Sequence, residues 1–124
     1  MAAEAAVKFA KLAFIDRDYG TARELLPTEV DQQFDAEKLK KFVENMHPDG
    51  FPTKVTATEY EPIPGTESMS IFLMGENDAE KIYYRFTVRG TSETGYKIYE
   101  LYSKLTPYPP TNLKRPLPQA ISTN

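Results

Sequence analysis

The chain has 124 residues, with 15 Lys and Arg against 18 Asp and Glu, no Cys, no Trp and one His. That length fits one domain with one real core, and 40% hydrophobic with 27% charged residues is an ordinary globular composition. Lack of Cys excludes disulfides, thiolate nucleophiles, iron–sulfur clusters and cysteine zinc sites. A single His excludes paired imidazoles, and a net charge of −3 gives no global attraction to nucleic acid or anionic lipid.

Residues 1–26 read as helix. Ala6, Phe9, Ala10 and Ala13 recur at three- and four-residue spacing, with Lys8 and Lys11 on another side. Glu4 and Lys8 break the Ala-rich start, so it is not the uninterrupted apolar stretch of a secretory signal. No run approaches the ~18–20 apolar residues that span a bilayer. A cytoplasmic protein and an exported one whose leader has been removed both stay open. Asp16-Arg17-Asp18 and Gly20 predict a break near 16–20, Asp18 is placed to cap a second helical piece, and Pro27 ends it.

A second helix is predicted from Asp35, as N-cap, to Met46. Leu39, Phe42, Val43 and Met46 form one apolar stripe expected to face a sheet, and His47-Pro48-Asp49-Gly50 stops the helix. From there the period changes from 3.6 to 2. Strands are expected over Thr53–Glu61, Ser68–Met74, Glu80–Arg89 and Tyr96–Thr106. The short turns between them imply an antiparallel meander. Pro107, Pro109, Pro110, Pro116 and Pro118 then predict an extended tail that cannot continue the sheet.

The fold class expected is α+β: N-terminal helices packed on a curved four-stranded antiparallel sheet, with residues 1–106 as the domain and 107–124 as a Pro-rich tail. This order of elements resembles the nuclear transport factor 2-like superfamily of α+β cones. Phe14-Ile15-Asp16-Arg17-Asp18-Tyr19-Gly20-Thr21-Ala22-Arg23-Glu24-Leu25-Leu26 is similar to that group's first-helix ending. Gly95-Tyr96-Lys97-Ile98 is similar to its closing strand. The resemblance implies a pocket between helices and sheet, as in small bacterial members of the group.

Candidate chemistry is sparse. His47 reads as a solvated turn residue that should be dispensable. A resemblance to ketosteroid isomerases would imply a carboxylate base and a Tyr, yet no acid matches that enzyme's motif. Glu100 is the carboxylate best placed for shielding, between Tyr96, Ile98 and Tyr102. Glu76-Asn77-Asp78-Ala79-Glu80 lacks the length and glycine of a calcium loop, and no nucleotide motif is present. No metal and no cofactor are expected. Lys81, Arg85 and Arg89, interleaved with Tyr83, suit single strands of nucleic acid or cross-strand pairing with acids; the net charge favours pairing, so nucleic acid is not the expected partner.

Eight Tyr and seven Phe are the better clue, because aromatics with a few hydroxyls line small-molecule sites. Tyr84, Phe86, Tyr96, Glu100 and Tyr102 are the candidate ligand-binding residues; none is assigned a catalytic role. The expected function is a non-enzymatic module that binds a small apolar or aromatic ligand or a protein. The alternative is a small isomerase or lyase using a carboxylate and Tyr in the cone pocket. Phe72 and Met74 alternate against Met69, Ile71 and Leu73, and Tyr99, Leu101 and Leu105 against Tyr96, Ile98 and Tyr102, so two strands read as apolar on both faces. A homodimer through the sheet's second face is therefore expected, with the tail (Leu113, Leu117, Ile121) as the rival cover.

Overall fold

The structure is a computed structural model and describes residues 2–27, 35–48 and 50–123. Asp49, in the turn predicted to stop the second helix, lies outside them. The protein is α+β. Among the described residues, three α-helices, α1 (Ala2–Ala10), α2 (Tyr19–Ala22) and α3 (Ala36–Met46), precede strands β1 (Lys54–Pro62), β2 (Ser68–Glu76), β3 (Lys81–Thr91), β4 (Gly95–Lys104) and β5 (Arg115–Ser122). The sheet is antiparallel and open, in the order β4-β3-β2-β1-β5. No helix among the described residues is long and apolar enough to cross a membrane.

The helix boundaries follow the local chemistry. Asp18 accepts a hydrogen bond from the Thr21 N–H at 3.2 Å, and Asp35 accepts one from Lys38 N–H at 2.8 Å, each satisfying an otherwise orphaned donor. Between α1 and α2 the helix widens into a π turn over Lys11–Ile15. Residues five apart then share a face, which turns Phe14 toward the same side as Phe9. Both are fully buried, and their rings meet Phe86 at 5.9 Å each.

The stripe on α3 is narrower than expected. Leu39 and Val43 are fully buried and Met46 half-buried, but Phe42 is 39% exposed. Phe42 thus stands at the margin of the stripe, beside β4 but only partly covered, so the expectation that it is buried against the sheet is corrected in extent.

One face of the sheet, here the inner face, carries the helices. Val55, Ala57, Ile71, Leu73, Ile82, Tyr84, Phe86, Val88 and Ile98 are all buried there against α1, the π turn and α3. Two bulges shape it. Thr58 is extra between Ala57↔Leu73 and Glu59↔Phe72, and Tyr99 is extra between Val88↔Ile98 and Thr87↔Glu100. A bulge bends its strand and flips the alternation beyond it. Beyond Tyr99, Leu101 therefore stands opposite inner Phe86, while Glu100 and Tyr102 stand opposite outer Thr87 and Arg85.

The tail also departs from expectation: residues 115–122 do continue the sheet, as a fifth strand on the β1 edge. Proline is tolerated there because an edge strand has one side with no neighbour to bond. Pairing is confined to Arg115 and Pro116 at one end and Ile121 and Ser122 at the other, so 117–120 loop past Thr58 and need no ladder donor. Reciprocal bonds between Val55 and Thr123 lock the end, at 2.9 and 3.1 Å. Leu117 is buried and Ile121 half-buried, whereas Leu113 is exposed.

The segment before β5 folds over the outer face. Tyr108 packs edge-on against Phe72 at 5.7 Å, and Lys114 lies over the same ring at 4.2 Å while pairing with Glu59 at 3.4 Å. Thr111 donates to Glu61. Phe72 is thereby buried within one chain.

Candidate functional site

The inner face has a filled end and a hollow end. At the filled end Phe14 touches Tyr84 at 4.9 Å and His47 at 4.8 Å, and His47 stacks on Phe51 at 4.8 Å. Arg17, at a positive φ of 53°, places its guanidinium over the far side of Phe51 at 4.7 Å. Tyr84 fits because position 75 is glycine: a Cβ there would lie 2.8 Å from the Tyr84 ring.

His47 is 4% exposed, not solvated, which corrects the expectation drawn from its turn sequence. Its Nδ1–H donates to the Val43 carbonyl at 2.7 Å, which fixes the tautomer, and its Nε2 accepts from the Tyr84 hydroxyl at 2.6 Å. Burial holds the imidazole below its ordinary range, partly offset by the bond to Val43. Burial, reinforced by Glu80, pushes the Tyr84 phenol far above its own range. A neutral imidazole and a neutral phenol, each bonded to the other, form a buried structural link between α3 and β3.

At the hollow end the same helix presents alanine. A cavity of about 450 Å³ opens between the first turn of α1 and the sheet. Ala2 and Ala3 line the helix side, Tyr60, Met69, Ile71 and Tyr96 the sheet side, and Leu117 and Pro118 of β5 the flank. Thr91 and Ser92 of the β3–β4 hairpin supply hydroxyls at the rim. Gly90 completes the wall: its φ is 129° and a Cβ there would meet the Gly95 carbonyl oxygen at 2.1 Å, so no side chain projects from this point. The lining is apolar with a few hydroxyls, the character of a small-molecule site.

A second, smaller groove of about 280 Å³ lies beside the sheet's other edge, between α3 and β4, with Leu26, Leu39, Phe42 and Leu101 in its wall.

The five residues singled out in the sequence do not form one site. Tyr84 and Phe86 are fully buried in the filled end. Tyr96 lines the hollow end, while Glu100 and Tyr102 border the α3–β4 groove. Glu100 accepts from the Thr87 hydroxyl at 3.1 Å and the Tyr102 hydroxyl at 2.6 Å, and that bond to the carboxylate holds the Tyr102 phenol above its ordinary range. The carboxylate–tyrosine pair of the isomerase alternative is thus present, but outside the cavity. Tyr60, Met69, Ile71 and Leu117 were missed as a set. Their signal was their shared inner face, which becomes readable once the β1 bulge and the β5 pairing are known.

The described residues contain no group of three or more His, Asp or Glu placed to hold a metal ion. Comparison of the chain with protein-family models, with curated proteins and with solved structures finds no match.

Proposed function

We propose that the protein is a binding module that encloses a small, neutral, predominantly apolar ligand in the hollow end of its inner face. The observation that carries this reading is the 450 Å³ cavity itself, walled by Tyr60, Met69, Ile71, Tyr96 and Leu117 beside the alanines of α1. Its size lies within the few hundred Å³ usual for ligand sites. Two tyrosines, with Thr91 and Ser92 at the rim, offer hydroxyls to orient one polar group of the ligand. Helices on one face of a curved antiparallel sheet support assignment to the nuclear transport factor 2-like cones, a proposal resting on element order and on the two quoted stretches. The binding reading is made for a single chain. A dimer through the outer face stays a separate proposal, since Tyr108 and Lys114 already cover Phe72.

The test is a two-dimensional NMR titration with a panel of neutral aromatic and aliphatic compounds. Shifts clustered on Ala3, Ile71, Tyr96 and Leu117 are expected for at least one chemical class. Shifts scattered over the surface, or clustered beside Phe42 and Leu101, overturn the assignment of this cavity.

A further inference from the structure

The outer face of the sheet divides by charge. On the β1 side, Glu59 and Glu61 are engaged by the folded-back tail through Lys114 and Thr111. On the β3–β4 side cations collect without acids opposite them. Register sets Arg85 between Phe72 and Tyr102, and Arg89 between Ser68 and Lys97. Of the three basic residues that alternate along β3, Lys81 alone stands opposite an acid, Glu76. Cross-strand neutralisation therefore does not account for the two arginines. Among the described residues neither forms an ion pair with a carboxylate. Arg89 and Lys97 are register partners, but the Lys97 ammonium turns away to donate to the Glu24 carbonyl at 2.7 Å, which leaves Arg89 without a charged partner across the strand.

Each guanidinium instead stacks on a tyrosine. Arg85 lies 4.7 Å from the Tyr102 ring centroid and 5.9 Å from that of Tyr108, which also carries Lys104 at 4.3 Å, and Arg89 lies 5.4 Å from the Tyr99 centroid. Tyr99 and Tyr102 are 39% and 41% exposed, and both also border the α3–β4 groove at this edge of the sheet. Glu100, the one carboxylate of β4, is held by Thr87 and Tyr102.

We propose that this face binds single-stranded nucleic acid, its bases stacking on Tyr99 and Tyr102 and its phosphates meeting Arg85, Arg89 and Lys104. Charge complementarity names the occupant. A chain with a net charge of −3 sets Arg85, Arg89 and Lys104 on two neighbouring strands, with Glu100 tied up among them. The accessible rings choose among polyanions: an acidic peptide satisfies the cations but leaves the tyrosines bare, and a duplex keeps its base faces stacked. The net charge, which argued against nucleic acid from the sequence, is an average over the whole chain and does not describe this patch. This site lies on the opposite face of the sheet from the cavity and stands or falls separately from it.

The test is fluorescence anisotropy of a labelled oligothymidylate of about a dozen nucleotides, titrated with the full chain at low salt. Saturable binding that weakens as salt rises is expected. Tyr99→Ala should weaken it by about 5- to 100-fold at unchanged melting temperature. Arg89→Gln should flatten the slope of log affinity against log salt by about 0.7. No saturable binding at low salt overturns the proposal. So does binding that ignores Tyr99→Ala, or equal binding of polyglutamate, because either would reduce the face to a bare electrostatic patch. Arg89 is exposed, so its variant keeps the test decisive if the tyrosine variant fails to fold.

Discussion

The filled and hollow ends of the inner face are built from the same helix and the same sheet, and side-chain volume alone separates them. Where α1 and its π turn deliver Phe9 and Phe14, the rings pack against Tyr84, Phe86 and His47 at centroid distances of 4.8 to 5.9 Å. Where the helix delivers Ala2 and Ala3, about 450 Å³ stays open against Tyr60 and Tyr96. The filled end supplies stability and so relieves the hollow end of that task. Interiors are otherwise packed like organic crystals. A cavity lined by half-buried aromatics therefore implies an occupant more readily than a packing fault.

The comparison predicts that the two ends respond oppositely to substitution. Phe14→Ala should give the largest effect, about 3–5 kcal/mol of lost stability in a denaturant titration, because it opens a void among Phe9, His47, Tyr84 and Phe86. Glycine at position 75 gives way to Tyr84, so Gly75→Ala should cost about 1–3 kcal/mol by overpacking the same end.

His47→Gln should cost a similar ~1–3 kcal/mol, since it disturbs the bonds to Val43 and Tyr84 and leaves buried polar groups poorly paired. This replaces the dispensability expected from the sequence. It also carries a pH signature. The folded imidazole titrates below its unfolded value of 6.5, so the unfolded chain takes up the proton first. The contribution is fully present above that value and is lost as pH falls below it toward the folded pKa. Melting curves across this window should slope for the native chain, and less for His47→Gln. A native slope unchanged by the substitution would assign the acid sensitivity to the carboxylates.

On α3 a smaller contrast applies. Val43→Ala should lower the melting temperature more than Phe42→Ala, although Phe is the larger side chain, because Val43 is fully buried and Phe42 is 39% exposed. The reverse order would restore Phe42 to the core.

Most of the architecture was legible from periodicity. The α1 stripe, the caps Asp18 and Asp35, and the four-strand meander all stand close to where the residues predicted them, because capping and alternation are local properties. What was not legible depends on contacts distant in sequence. The π turn reverses the side on which Phe14 falls, and the bulge at Tyr99 separates Glu100 and Tyr102 from Tyr96. His47 reads as a turn residue until Tyr84, 37 positions away, closes a hydrogen bond on it. Pro116 and Pro118 read as strand breakers until β1 offers an edge on which few ladder donors are needed. The cavity depends on that β5 pairing and on the β1 bulge at Thr58, so the sequence could suggest aromatic lining but could not gather its members.

The sharpest functional change should come at Ala3. Ala3→Leu extends a side chain from a buried position of the α1 wall toward the cavity, so it should cost no more than the ~1–3 kcal/mol of overpacking and leave the chain folded. Titration of both proteins with N-phenyl-1-naphthylamine, a neutral fluorophore that brightens in apolar surroundings, tests the central claim most directly. The native chain should show a saturable, one-to-one fluorescence rise, and Ala3→Leu should abolish it without unfolding. An equal rise in both proteins, or none in the native chain, would contradict the ligand cavity.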